Sequence, residues 1–146
     1  MKKMHVYSHT HWDYEWYFTA SESIIQLIYH MDEVISALES GTLKTYLLDS
    51  QVSILEEYLH MMPEKEPVIR KLVEEGKLMI GPWYTQSDEL IISGESLARN
   101  LWYGISYARE LGNCMMIGYL PDSFGQSKDM PKLYNGFDIR EALFWR

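Results

Sequence analysis

The sequence predicts an α/β fold built from parallel β/α units, arranged as the opening part of a barrel. Three observations predict it. Short apolar runs alternate with helical stretches along the whole chain. The expected strands are nearly continuous in apolar residues, as strands covered on both faces are. Carboxylates, aromatics or histidines follow each of the first four strands, on the face where barrels and open α/β sheets carry their sites. At 146 residues the chain suits one domain with a real core.

Met4-His5-Val6-Tyr7-Ser8 is the first expected strand, leading into the loop His9 to Tyr17. Ser21-Glu22-Ser23 offers caps for a helix whose apolar face is Ile24, Ile25, Leu27, Ile28, Met31, Val34, Ile35 and Leu38, closed by Gly41. Lys44 to Asp49 reads as the second strand. A helix through Val52, Leu55, Tyr58 and Leu59 breaks at Pro63, and Pro67 suits the first turn of the next, stopped by Gly76. Leu78-Met79-Ile80-Gly81 is the third strand, ending in Pro82-Trp83-Tyr84 and then Asp88-Glu89. Ser93 or Gly94 opens a long helix through Leu97, Leu101, Ile105, Ala108 and Leu111. Met115 to Tyr119 is the fourth strand, running into Pro121-Asp122-Ser123-Phe124-Gly125. A short helix from Met130 to Tyr134 precedes a fifth strand, Ala142 to Trp145. With Arg146 following directly, the expectation is part of a larger fold.

The bulk numbers exclude several classes. A net charge of -8 argues against nucleic acid or an anionic membrane as the main partner. No apolar run approaches the roughly 20 residues of a membrane span. Cys114 is the single cysteine, so no disulfide framework exists, and a reducing, cytoplasmic location is expected. Cys114 itself reads as an inert core thiol.

The stretch His9-Thr10-His11-Trp12-Asp13 carries the chemistry. In extended geometry His9, His11 and Asp13 share one face, and two imidazoles with a carboxylate are ligands zinc accepts. Each also has an ordinary reading: a loop histidine at the surface, an aspartate capping a turn, or His9 orienting a ligand from behind. His5 is expected in buried structure, and His30 and His60 at the surface. Asp122 is a turn aspartate or a functional one. Asp49, Asp88 and Glu89 read as helix caps or loop carboxylates. Trp16, Trp83, Tyr84 and Phe124 offer a sugar-stacking surface or simply close the core.

The motifs His11-Trp12-Asp13-Tyr14-Glu15-Trp16-Tyr17 and Pro121-Asp122-Ser123-Phe124-Gly125 resemble those of glycoside hydrolase family 38, the retaining α-mannosidases. Leu48-Asp49-Ser50-Gln51, Gly81 to Glu89 and Leu143-Phe144-Trp145-Arg146 resemble that family's intervening blocks. The likeness covers nearly the whole chain and is nearest the bacterial branch, which includes mannosylglycerate hydrolases and carries arginine where this chain has Tyr14. The resemblance implies a seven-stranded β/α barrel, of which residues 1–146 would be the N-terminal part. It implies zinc held by His11, Asp13 and Asp122. Asp122 would also be the nucleophile, forming a covalent mannosyl-aspartate. Trp16 and Phe124 would form the sugar wall, and Arg146 would keep the nucleophile ionised. The ion would grip the 2- and 3-hydroxyls of an α-mannoside.

The family's fourth zinc ligand and its acid/base aspartate lie beyond Arg146, so this chain alone is expected to be inactive. An incomplete barrel also leaves an open edge, and homo-oligomers are expected from it. Two other readings remain: an amidohydrolase-like barrel with His9 and His11 as its metal pair, or a non-catalytic carbohydrate-binding domain.

Overall fold

Apolar strands flanked by amphipathic helices settle into a parallel sheet wherever crossovers are helical. The computed structural model describes residues 2–145 and has that order. Strand β1 (Ser8–Thr10) is followed by helix α1 (Ala20–Glu39), β2 (Tyr46–Leu48), α2 (Ser53–Met61), a 3₁₀ turn (Pro63–Lys65), and α3 (Glu66–Glu74). Then come β3 (Leu78–Met79), α4 (Gly94–Glu110), β4 (Ile117–Pro121), α5 (Met130–Gly136) and β5 (Glu141–Trp145). Strands pair in parallel as β1-β2-β3 and as β4-β5.

Two links join the ladders. The Met115 amide donates to the Ile80 carbonyl at 2.8 Å, just beyond β3 and before β4. At the other end the Ser50 hydroxyl donates to the Tyr119 carbonyl, also at 2.8 Å. Strand order therefore follows chain order. The C-terminal ends of β1, β2 and β4 come together, which is what gathers the site.

The core confirms most of the apolar faces. Leu27, Met31, Val34, Ile35 and Leu38 of α1 pack with Val52, Leu55 and Tyr58, with Ile69, Leu72 and Val73, and with Leu97, Leu101, Ile105 and Ala108. Ile25, expected inward, is 56% exposed, because the sheet side of α1 begins at Ser23 and Leu27. The helix starts earlier than Ser21: Thr19 is its cap, and Glu22 reaches back to the Thr19 amide in a capping box. Pro67 does sit in the first turn of α3, and Ser93 caps α4.

The first strand is shifted. Met4 to Tyr7 is exposed and unpaired as a strand, whereas Ser8–Thr10 pairs with Tyr46–Leu48. His9 thus lies within β1. His5 is exposed, because its segment precedes the pairing. His30, expected at the surface, is half-buried: its ring stacks on Trp12 at 5.8 Å and meets the Tyr46 hydroxyl at 3.0 Å. Burial holds the His30 imidazole below its ordinary value. Cys114 is buried, and burial pushes its thiol up to about 11, which suits an inert core residue.

Helix α4 crosses the loop after β3 at very close range. A Cβ on Gly104 would overlap the Pro82 carbonyl oxygen and the Trp83 carbonyl carbon. One turn earlier, Asn100 clamps the same loop. Its Oδ1 accepts from the Tyr84 amide at 2.8 Å and the Thr85 amide at 3.1 Å, while its Nδ2 donates to the Thr85 carbonyl at 2.7 Å. Trp83 fills the core beneath and is fully buried, edge-on to Tyr134. Of the aromatics after β3, Trp83 therefore belongs to the core.

Candidate metal centre

β1 delivers His11 and Asp13 from the loop just past its end, and β4 delivers Asp122 from the residue after Pro121. One donor atom from each of the three lies within 4.8 Å of the others. His11 Nε2 is 3.4 Å from Asp13 Oδ1 and 3.9 Å from Asp122 Oδ2. A tetrahedral zinc with bonds of about 2.0–2.2 Å sets its ligands about 3.3–3.6 Å apart. The His11–Asp13 pair falls within that range and the His11–Asp122 pair lies slightly beyond it, with one nitrogen and two carboxylate oxygens as donors. They line a cleft of about 160 Å³ together with Gln86, Ser87, Asp88 and Phe124.

Backbone geometry aims Asp122. Its amide donates to the Trp145 carbonyl at 3.0 Å, continuing the β4-β5 ladder one step past the strand. Its φ of 58° then turns the chain sharply into Ser123-Phe124-Gly125. The Phe124 amide donates to Asp88 Oδ1 at 2.7 Å, so Asp88 fixes the loop beside the nucleophile candidate.

Asp49 was expected as a cap or loop carboxylate. It lies fully buried behind His11, with Oδ1 at 3.2 Å from His11 Nδ1. This hydrogen bond holds the His11 imidazole above its ordinary value. Burial opposes the shift, and the negative charges of Asp49, Asp13 and Asp122 add to it. Gln51 and Gln86 also reach Asp49. Sequence reasoning missed these three residues as a group, though Asp49 and Gln51 follow β2 directly and Gln86 lies in the loop between β3 and α4.

His9 is not in the cluster. Its Nδ1 meets the Tyr119 hydroxyl at 3.2 Å, and its ring packs edge-on against Trp145 at 6.1 Å. The period-two alternation therefore breaks after Thr10, where the strand ends. An amidohydrolase-like pair of His9 and His11 loses its geometry.

Trp16 and Phe124 are 70% and 66% exposed, so both present aromatic surface to solvent, and Phe124 lines the cleft. Tyr84 is half-buried, donating its hydroxyl to Glu56 at 2.7 Å, a bond that pushes the phenol up to about 12. Arg146 lies outside the described residues.

Glu89 faces elsewhere. It is 5% exposed and lines a cavity of about 460 Å³ with Ile92, Leu97, Met130, Leu133 and Phe137. Its Oε2 accepts from the Ser127 amide at 2.5 Å, while Oε1 has no hydrogen-bond partner among the described residues. Burial raises its carboxyl; the Ser127 amide opposes this, and Asp88 adds to it. A folded-state value above the unfolded one means that Glu89 favours folding at acidic pH and loses that contribution as pH rises through the folded value. Glu89→Gln is therefore expected to melt higher than wild type at pH 7 and level with it near pH 4. Thermal denaturation at the two pH values measures this, and equal shifts at both would refute it.

Comparisons with known proteins bear on the fold and the family. The family model described as the glycosyl hydrolases family 38 N-terminal domain matches residues 1–146. A Halalkalibacterium halodurans protein named "Putative mannosylglycerate hydrolase" is 39% identical over 147 residues, covering 99% of this chain and 16% of that protein. The crystal structure of an α-mannosidase from Enterococcus faecalis superposes with a TM-score of 0.91 at 37% identity, over 94% of this chain and 16% of the other. A second Enterococcus faecalis family 38 structure gives a TM-score of 0.84 at 34% identity, with the same coverage. The chain thus spans about a sixth of the length of these relatives. Among the described residues no helix is long and apolar enough to cross a membrane. With its parallel strands, its helical crossovers and its match across every residue, the chain belongs to glycosyl hydrolase family 38, as that family's N-terminal domain.

Proposed function

We infer that this chain is the N-terminal part of the catalytic β/α barrel, seven-stranded when complete, of a retaining, zinc-dependent α-mannosidase acting in the cytoplasm. The observation that carries the reading is the convergence of His11, Asp13 and Asp122 from the ends of β1 and β4. Relatives named α-mannosidase and mannosylglycerate hydrolase support an α-mannoside, free or as mannosylglycerate, as substrate.

His11 Nε2 and one oxygen each from Asp13 and Asp122 would hold the zinc. An ion held there would supply Lewis acidity to hydroxyls of the sugar and so would favour a ring closer to the oxocarbenium geometry. Asp122 attacks the anomeric carbon. The bond to the departing oxygen breaks as that oxygen takes a proton from the acid/base carboxyl, which this chain does not supply. Water, deprotonated by the same group, then releases mannose from Asp122 with retained configuration. A pair of this kind needs its carboxyls about 5 Å apart. Trp16 and Phe124 offer the faces on which an apolar side of the ring packs, and Arg146 would favour the ionised nucleophile.

The test is hydrolysis of an aryl α-mannoside and of mannosylglycerate by a protein carrying this domain with the remainder of its barrel. A strong chelator is expected to abolish turnover and added zinc to restore it. Full activity in metal-free protein would sink the reading. The domain alone, with three ligands and one carboxyl of the catalytic pair, is expected to be inert.

A further inference from the structure

The chemistry above leaves the fully buried Asp49 carboxylate without a part. We propose that Asp49 is a positioning residue that fixes the tautomer and the aim of His11, with Gln51 and Gln86 holding Asp49 in turn. The inference rests on the reading of His11, Asp13 and Asp122 as zinc ligands.

Four donors converge on the two Asp49 oxygens. Oδ2 accepts from the Trp12 amide at 2.6 Å and from Gln51 Nε2 at 2.7 Å. Oδ1 accepts from Gln86 Nε2 at 3.1 Å and faces His11 Nδ1 at 3.2 Å. Gln86 also donates to the Asp49 carbonyl at 2.6 Å, and Gln51 to the Trp12 carbonyl at 2.9 Å. Among the described residues His11 is the one basic side chain paired with Asp49. A carboxylate buried to this degree is costly and persists only where its lone pairs are filled.

Asp49 caps no helix. The residue before α2 is Val52, and no side chain caps it. Its φ of 40° is a conformation that residues with a Cβ adopt rarely. Of the four groups that meet this carboxylate, His11 is the one that also belongs to the candidate metal cluster.

The chemistry follows from the acceptor-only character of a carboxylate. His11 Nδ1 must carry the hydrogen, which turns the Nε2 lone pair toward Asp13 and Asp122. Metal-bound histidines commonly have their other nitrogen tied in this way. An asparagine cannot replace it. Its NH₂ would face either His11 Nδ1 or the Trp12 amide and Gln51, so one pair of donors would collide.

The experiment compares zinc affinity, by chelator competition, in the full protein with and without Asp49→Asn, together with the visible spectrum of the cobalt(II)-loaded forms. A loss of about 10- to 100-fold in affinity is expected, with shifted cobalt bands and an unchanged far-ultraviolet circular dichroism spectrum. A folded Asp49→Asn protein with wild-type affinity and wild-type cobalt bands would overturn the proposal. Should that variant not fold, Gln86→Met decides. It keeps the carboxylate but removes a clamp, and it is expected to weaken zinc by more than about twofold; unchanged affinity overturns the proposal. Wild-type protein that takes up no zinc overturns the metal reading itself, and this outcome is distinct from the other two.

Discussion

Asp122→Asn lowers kcat toward an aryl α-mannoside by at least about 10³-fold, and saturating zinc does not restore it. Asparagine keeps the shape and an oxygen able to reach the metal, but an amide cannot form the glycosyl ester. Asp13→Asn supplies the contrast. Asp13 also stands close to His11 Nε2 but is proposed only as a ligand, so its activity loss is expected to recover substantially as zinc is raised. Steady-state assays over a zinc titration separate the two. Recovery of Asp122→Asn alongside Asp13→Asn would show that Asp122 only holds metal.

Gly104→Ala is expected to cost about 3 kcal/mol of stability, near the upper end for overpacking. The added methyl meets backbone rather than the flexible end of a side chain: the Pro82 carbonyl and the Trp83 carbonyl carbon lie where it must go. Either α4 lifts from the loop, exposing Trp83, or the loop moves and carries Gln86 away from Asp49. Chemical denaturation measures the first consequence, and zinc affinity reports the second. A Gly104→Ala protein as stable as wild type would mean that the helix and loop are not in contact.

The sequence carried the architecture because burial leaves its mark locally. The apolar spacing of α1, α3 and α4 records which face meets the sheet, and Pro67 and Ser93 mark their helix starts. The ligand candidates were legible in part: spacing nominated His9 equally with His11 and Asp13, and only the resemblance to family 38 motifs singled out His11, Asp13 and Asp122. What depends on neighbours across the sheet was not legible. The end of β2 lies beside the loop after β1, and only that adjacency turns Asp49 from a loop carboxylate into the partner of His11. His30 likewise reads as a helix-surface residue until Trp12 and Tyr46 are seen against it. Strand limits were the weakest part. Ser8–Thr10 is a strand because Tyr46–Leu48 lies opposite, and nothing within Met4 to Ser8 encodes that register. The start of α1 is different: Thr19 and Glu22 spell a capping box in the sequence itself.

Asp49, Ser50 and Asp122 have φ values of 40°, 54° and 58°. Left-handed backbone at a residue with a Cβ costs on the order of 1 kcal/mol, a cost that glycine would avoid. At Asp49 and Ser50 that gain would be outweighed, because glycine would strip the Trp12 amide, Gln51, Gln86 and the Tyr119 carbonyl of their partners. At the exposed Asp122 it would not, so a laboratory selection run for heat resistance alone would favour glycine there, at the carboxylate proposed as nucleophile. A lineage that had lost its need for mannosides would be expected to show that loss first at the turn that ends β4.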